Sequence, residues 1–160
     1  MRKIFFLFLV SLVAISCDDT ELNSPIIQGE VDNQFFRSRA QAVVNDEGNL
    51  VIRGSEQDVL TLRVNNVTTG TYNISPNSGN RATFLRDGEL YITSGPNTGG
   101  EIVIERIDEE GITGSFFFSA RLNGVGRMIN FSRGVFFNVP FASFDIEIPL
   151  PEDPENGDED

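Results

Sequence analysis

Residues 112–122 read ITGSFFFSARL, and their alternation is the clearest structural signal in the chain. Apolar and polar residues follow one another with period two, and only Phe117 interrupts the polar set. Because successive side chains of a strand point to opposite faces of a sheet, the segment predicts a strand with one buried and one solvated face. The residues expected on the buried face are Ile112, Gly114, Phe116, Phe118, Ala120 and Leu122.

The segments around this strand predict antiparallel hairpins. Residues 101–107 show the same alternation, and a short loop that ends in Gly111 joins them to the strand. Asp87 and Gly88 lie between two apolar pairs, which is the pattern of a two-residue hairpin turn. Further short strands are predicted at residues 26–31, 35–44, 50–54, 60–64, 71–74, 82–85, 90–94, 127–132 and 135–141.

These strands with their short links predict an all-β fold. No helical period is evident between residues 25 and 144. We therefore expect an antiparallel meander of about ten short strands, closed into a barrel or folded as a sandwich. In the last strand, one face is expected to hold Val135, Phe137, Val139 and Phe141.

The first 16 residues have the pattern of a signal peptide. Two basic residues precede an apolar run over residues 4–15, which is shorter than the roughly 20 residues that a membrane-spanning helix needs. Cys17, the only Cys of the chain, follows, and residues 13–17 resemble the site at which bacterial lipoproteins are lipidated. This resemblance implies that residues 1–16 are removed and that a lipid on Cys17 attaches the chain to a membrane. A secreted protein with a chance Cys, or an uncleaved anchor, is the alternative.

An acidic run follows Cys17. Residues 18–21 hold three acids, and we expect residues 17–25 to form a tether. In lipoproteins of the Bacteroidota, such a run resembles a signal for export to the outer face of the outer membrane. The resemblance implies a surface-exposed, lipid-anchored protein, with a periplasm-facing position as the alternative.

Three short motifs resemble a known family. They are G-x-V-D-x-x-x-F at residues 29–36, I-T-G-x-F-x-F at residues 112–118 and G-x-F-x-N-V-P at residues 134–140. Together they resemble an uncharacterised family of small Bacteroidota lipoproteins, in which one β-rich domain follows a lipidated Cys. The resemblance covers roughly residues 26–141 and implies a fold, but it brings no catalytic or binding residues with it.

The composition excludes several kinds of chemistry. The 160 residues include no His and one Cys, so there is no Ser-His-Asp or Cys-His catalysis, no His-ligated zinc and no internal disulfide. No pair or cluster of carboxylates has the spacing of a catalytic or metal site. We therefore predict no enzymatic activity, metal or cofactor. The net charge of −12 also disfavours nucleic acid as a partner.

The charge is concentrated at the two ends of the chain. Residues 22–144 hold 13 acids and 10 Arg residues and are nearly balanced. Residues 145–160 hold eight acids, three Pro and no basic residue. The sequence therefore predicts a folded domain over residues 26–144 and a disordered acidic tail at residues 145–160, although the apolar residues at the start of the tail could add an edge strand.

Two groups of residues are candidates for binding. After Cys17 the chain has Arg but no Lys, and several Arg residues lie on predicted strands, where they could form an anion site or simply pair with Glu101, Glu105 and Asp58. Two aromatic residues fall on otherwise polar faces, where they could form an apolar site or lie beneath a loop. The candidate ligand-binding residues are Arg63, Arg121, Arg127, Phe117 and Phe136.

The sequence favours a non-catalytic, lipid-anchored β domain that acts as a binding or structural module. The first alternative is a barrel that carries a small apolar or anionic ligand inside, which needs a cavity of several hundred Å³. The second alternative is a hydrolase that uses carboxylates. Beyond the membrane to which the lipid on Cys17 attaches, the residues do not identify a partner.

Overall fold

The computed structural model describes residues 24–55 and 57–142. The predictions for the signal peptide, Cys17, the acidic run and the acidic tail therefore lie outside the described residues. No helix in the described part is long and apolar enough to cross a membrane. The described residues form ten strands: β1 Ile26–Val31, β2 Gln34–Val44, β3 Leu50–Ser55, β4 Val59–Val64, β5 Gly70–Ile74, β6 Arg81–Arg86, β7 Glu89–Ile92, β8 Gly99–Asp108, β9 Gly111–Leu122 and β10 Met128–Val139.

Eight of these strands close into an antiparallel barrel, so the all-β prediction is confirmed and the barrel is the correct alternative. The order around the wall is β10-β1-β2-β3-β4-β6-β7-β9, and β9 pairs with β10 to complete the ring. Only the end of β9, at Arg121 and Leu122, pairs with β7. The rest of that edge of β9 pairs with β8, which carries β5 on its other side. Strands β8 and β5 thus extend the sheet from the part of β9 that β7 leaves unpaired.

Two tight turns join strands at the same end of the barrel. Asp87 and Gly88 both have positive φ, at 52° and 79°, and connect β6 to β7 as predicted. Asp32 and Asn33, with φ of 48° and 67°, make the same kind of turn between β1 and β2. Positive φ at both central residues gives a turn whose twist matches that of the paired strands.

Phenylalanine rings fill the barrel interior. The predicted buried face of β9 is confirmed, since Phe116 and Phe118 are 3% and 1% exposed. Phe131 lies at the centre of the cluster, with ring centroids 5.1–5.7 Å from its neighbours Phe36, Phe84, Phe116 and Phe118. Aromatic pairs at such distances stabilise a core by about 0.5–1.5 kcal/mol each beyond the burial of their area.

Strand β10 differs from the prediction in its continuity and in its faces. The two segments expected at residues 127–132 and 135–141 form one strand, with register shifts between Phe131 and Gly134 and between Phe136 and Val139. Arg133 and Asn138 lie at these shifts with φ of 50° and 46°. Each bulge adds one residue to β10, so the set of residues that points inward changes phase.

The predicted face of the last strand is therefore wrong. Of the four residues expected on it, only Val139 is buried, whereas Val135, Phe137 and Phe141 are 36–40% exposed. Phe136, which was expected among the polar positions, is instead fully buried. A strict period of two cannot predict which residues of β10 are buried, because the buried set depends on the positions of the bulges.

Candidate functional site

Charged residues are distributed unevenly around the barrel. Strands β2, β3, β4 and β6 are consecutive in the wall and contain six Arg residues but no Asp or Glu. Acidic residues lie instead on β1, β7 and β8, as Glu30, Glu89, Glu101, Glu105 and Asp108. The strands of this part of the wall are therefore basic, and the acids near them lie in its loops, as Asp46, Glu47 and Asp58.

Five of these arginines form one continuous line on the outer surface, which we call the arginine stripe. Arg37 and Arg39 are two residues apart on β2, and their side chains share its outer face. Arg53 pairs with Gln41 and is thus the diagonal neighbour of Arg39. The stripe consists of Arg37, Arg39, Arg53, Arg63 and Arg81.

At the far end of the stripe, Arg63 and Arg81 lie directly opposite each other on paired strands. Arg53 pairs with Thr61, which makes Arg63 its diagonal neighbour on β4, and Arg63 lies directly opposite Arg81 on β6. Directly opposite residues have Cβ atoms about 5 Å apart, and diagonal neighbours about 7–8 Å apart. Like charges directly opposite each other destabilise a sheet. An anion that lies across the stripe would offset this repulsion.

Within the described residues, three of the five stripe arginines have no ion pair, and Arg63 has one. The Nη2 atom of Arg63 donates to Glu47 Oε2 at 2.8 Å, on the loop between β2 and β3. Its Nε is buried and has no hydrogen-bond acceptor among the described residues. The ion pairs of the described part include none to Arg37, Arg53 or Arg81. These three side chains are exposed and can reach an external anion.

Both ends of the described chain lie beside β2. The backbone N–H of Ala40 donates to the carbonyl of Pro25 at 3.3 Å, just before β1 begins. Beyond β10, Ala42 N–H donates to the Pro140 carbonyl and Ala142 N–H donates to the Ala42 carbonyl, both at 2.8 Å. The segments that precede and follow the barrel therefore start next to the strand that carries Arg37 and Arg39.

The structure separates the residues predicted from the sequence rather than bringing them together. Arg63 belongs to the stripe, whereas Arg121 donates to the carbonyls of Pro96 and Gly126, both at 2.9 Å. Phe136 is a core residue, because the bulge at Arg133 turns it inward, and its prediction as a ligand-binding residue on the polar face of its strand is corrected here.

Phe117 lies on the outer surface of β9 and is 52% exposed. Together with Val103 and Val135 it lines a shallow hollow of about 340 Å³ on the wall formed by β8, β9 and β10. Its exposure agrees with its place on the polar face of the strand. A role of Phe117 in ligand binding stays a prediction.

Arg127 lies at one mouth of the barrel. Its Nε donates to the hydroxyl of Tyr91 at 2.6 Å, its guanidinium lies 5.5 Å from the centroid of that ring, and it forms an ion pair with Glu89. The hydrogen bond to Tyr91, with the charge of Glu89, raises the pKa of Arg127. The mouth is a depression of about 250 Å³ that Phe84 and Ile129 also line.

The cations of the mouth already have carboxylate partners, which distinguishes them from the stripe. Arg86 also lines the depression and pairs with Asp58 at 3.3 Å, an acid that the sequence predicted as an ion-pair partner. Simple ion pairing thus accounts for Arg86 and Arg127. In the part of the chain that the structure describes, no three acidic or thiol side chains come together as metal ligands.

Sequence reasoning named only Arg63 of the stripe as a ligand-binding residue and missed the other four, Arg37, Arg39, Arg53 and Arg81. Arg37, Arg39 and Arg53 occupy outer positions of predicted strands, whereas Arg81 directly precedes the strand predicted at residues 82–85. Their membership of one stripe depends on the pairing of β2 with β3 and of β4 with β6. Strand β4 pairs with β6 and not with β5, the next strand along the chain, and nothing in the sequence indicates this pairing.

Comparison with known proteins adds a family match. A family model described as "Domain of unknown function (DUF6252)" matches residues 23–140, which include the whole barrel and every residue of the stripe. No curated protein matches the chain. No solved structure matches it either.

Proposed function

The chain belongs to the DUF6252 family, a domain of unknown function, and we propose that it is a non-catalytic, lipid-anchored envelope protein whose barrel binds anionic membrane surfaces through the arginine stripe. The observation that carries this proposal is the stripe itself, five neighbouring arginines on four strands that contain no acid. Arginine suits this partner because its planar guanidinium donates two parallel hydrogen bonds to a phosphate group.

The position of the tether supports a membrane as the source of the anions. Six residues separate Cys17 from Ser24, the first described residue. A fully extended chain advances at most about 3.6 Å per residue, so a lipid on Cys17 would hold the barrel within roughly 25 Å of its membrane. The tether reaches the barrel beside β2, next to Arg39, through the bond between Ala40 and Pro25. The nearest extended anionic surface is then the membrane itself.

The energetics fit a second attachment that adds to the lipid. A basic residue close to an anionic membrane contributes about 1 kcal/mol, and this attraction is screened within about 8 Å at physiological salt. Five arginines on one face would orient the barrel against the membrane without an apolar insertion. We expect such binding to weaken steeply as the salt concentration rises.

The packed interior supports a surface-binding module over the alternative of an internal carrier. Phe36, Phe84 and Phe131 contact one another edge to face in the barrel, where a carried ligand would have to lie. The absence of catalytic activity remains part of the proposal.

The anchor is tested by Cys17→Ala. In a detergent phase separation of cells, the wild-type protein should enter the detergent phase, whereas the variant should enter the aqueous phase because it lacks the lipid. A variant that stays in the detergent phase would show that something other than Cys17 holds the protein.

The stripe is tested by vesicle sedimentation of residues 17–160 with Cys17→Ser, which removes the lipid. The protein should sediment with phosphatidylcholine vesicles that contain phosphatidylglycerol, and not with pure phosphatidylcholine vesicles. Equal binding to both compositions, or no binding to either, would contradict the proposal.

A further inference from the structure

We infer that the acidic segment, residues 145–160, binds the arginine stripe of its own barrel and competes there with the membrane. The docking of the segment stands on its own observations, whereas the competition rests on the proposed function. The segment carries eight acids and no basic residue, which makes it the chain's most acidic stretch. The stripe is the complementary surface on the same molecule.

The exit of the chain from the barrel supports this pairing. Phe141 forms a parallel bridge with Ala42, and the bonds of Ala42 to Pro140 and Ala142 hold these residues along the edge of β2 that pairs with β1 further up the strand. Asp145, the first acid, follows Ala142 by three residues, or about 10 Å of extended chain. Because the bridge is parallel, the chain leaves towards the C-terminal end of β2, where Val43 is in register with Val51, and through it with Arg63 and Arg81.

The length of the acidic segment is sufficient for the stripe. From Arg37 to Arg81 the stripe spans four strands and roughly 25 Å, from the spacings of paired and diagonal residues. Sixteen residues in an extended conformation cover about 50 Å. The segment can thus follow the whole stripe, with its carboxylates facing Arg63 and Arg81.

The composition of the segment suits contact through side chains. Pro149, Pro151 and Pro154 lack a backbone N–H and interrupt a sheet ladder, so from residue 149 onward the carboxylates are the main groups available for contact. Such contact requires no fixed backbone conformation and agrees with a segment outside the folded domain. Because a tether of a few residues gives an effective concentration in the millimolar range, the segment outcompetes dilute soluble anions.

The placement of the segment can be measured with one spin label. In a chain that carries Cys17→Ser, the substitution Gly157→Cys introduces the only thiol, which takes a nitroxide. Amide NMR signals of β2, β3, β4 and β6 should broaden more than those of β9, which lies on the opposite wall of the barrel. The broadening should disappear in about 0.5 M salt, where charges are screened beyond roughly 4–5 Å.

The matched control keeps the label and the length of the segment but replaces its eight acids by the corresponding amides. This variant should lose the selective broadening. Broadening that is equal on β9, that survives amide substitution, or that depends on protein concentration would overturn the inference. The last of these outcomes would place the segment on a second copy of the chain.

Competition with the membrane has a separate readout. The amide-substituted chain should bind phosphatidylglycerol vesicles about tenfold more tightly than the acidic chain, since its stripe is uncovered. Selective broadening without vesicle binding by either chain would leave the docked segment in place and refute the membrane function. Vesicle binding without selective broadening would support the membrane function and refute the docking of the segment.

Discussion

A phenylalanine ring from a neighbouring strand lies against the backbone of each of three glycines, Gly29, Gly114 and Gly134. Each belongs to one of the three short motifs in the sequence. A Cβ atom at these positions would lie 2.5–2.6 Å from a ring carbon of Phe131, Phe136 and Phe116, respectively. None of the three needs an unusual φ, so the requirement for glycine is steric. The motifs therefore describe the packing of the barrel, which explains why they suggest no chemistry.

Gly134→Ala tests this role at the residue scale. The added methyl group would press on Phe116, and overpacking of this kind typically costs about 1–3 kcal/mol of the free energy of unfolding. Ser132→Ala, at an exposed position of the same strand, is the control and should change stability by less than about 0.5 kcal/mol. Urea denaturation of both variants measures the difference, and equal effects would show that the ring does not require the glycine.

At the scale of the strand, alternation was a reliable guide wherever the ladder is regular. It placed β1 at its observed bounds and assigned the buried face of β9. It failed in β10, because the bulges at Arg133 and Asn138 each reverse the inward set, and Phe136 was assigned to the wrong side. Bulges bend a strand to fit the curvature of the closed barrel. The alternation within one strand carries no information about that curvature.

Phe118→Ala tests the assignment of the faces of β9, and Phe117→Ala is its matched control on the same strand. Phe118 is 1% exposed, so its truncation should reduce the free energy of unfolding by about 3–5 kcal/mol. Phe117 is 52% exposed, and its truncation should cost less than about 1 kcal/mol. Thermal or urea unfolding distinguishes the two, and similar losses would contradict the face assignment.

At the scale of the whole molecule, the distribution of charge carries the functional argument. The sequence shows an acidic chain in which the charges of residues 22–144 are nearly balanced. These charges are distributed unevenly, because β2, β3, β4 and β6 hold arginines and no acids. The outward positions of the stripe arginines on β2, β3 and β4 followed from local alternation, Arg81 lay just before its predicted strand, and Arg63 was a candidate from the start. The joining of five such residues into a stripe follows from strand order and register, which are long-range properties of the closed barrel.

The central claim is that the stripe, and not the overall charge, binds the membrane. A direct comparison uses two triple variants with the same change in net charge, both in the chain with Cys17→Ser and with the eight acids of residues 145–160 replaced by amides, so that the segment does not cover the stripe. The first neutralises the stripe with Arg37→Gln, Arg53→Gln and Arg81→Gln. The matched control neutralises three arginines outside the stripe, namely Arg121, Arg127 and Arg133.

The measurement is the affinity of each variant for vesicles of phosphatidylcholine and phosphatidylglycerol, at one fixed salt concentration. With about 1 kcal/mol for each arginine near the surface, the stripe variant should bind about a hundredfold more weakly than the same chain without the arginine substitutions. The control should lose less than about threefold, because its charges are far from the membrane and screened. Equal losses in the two variants would contradict the account, since net charge alone would then explain the binding.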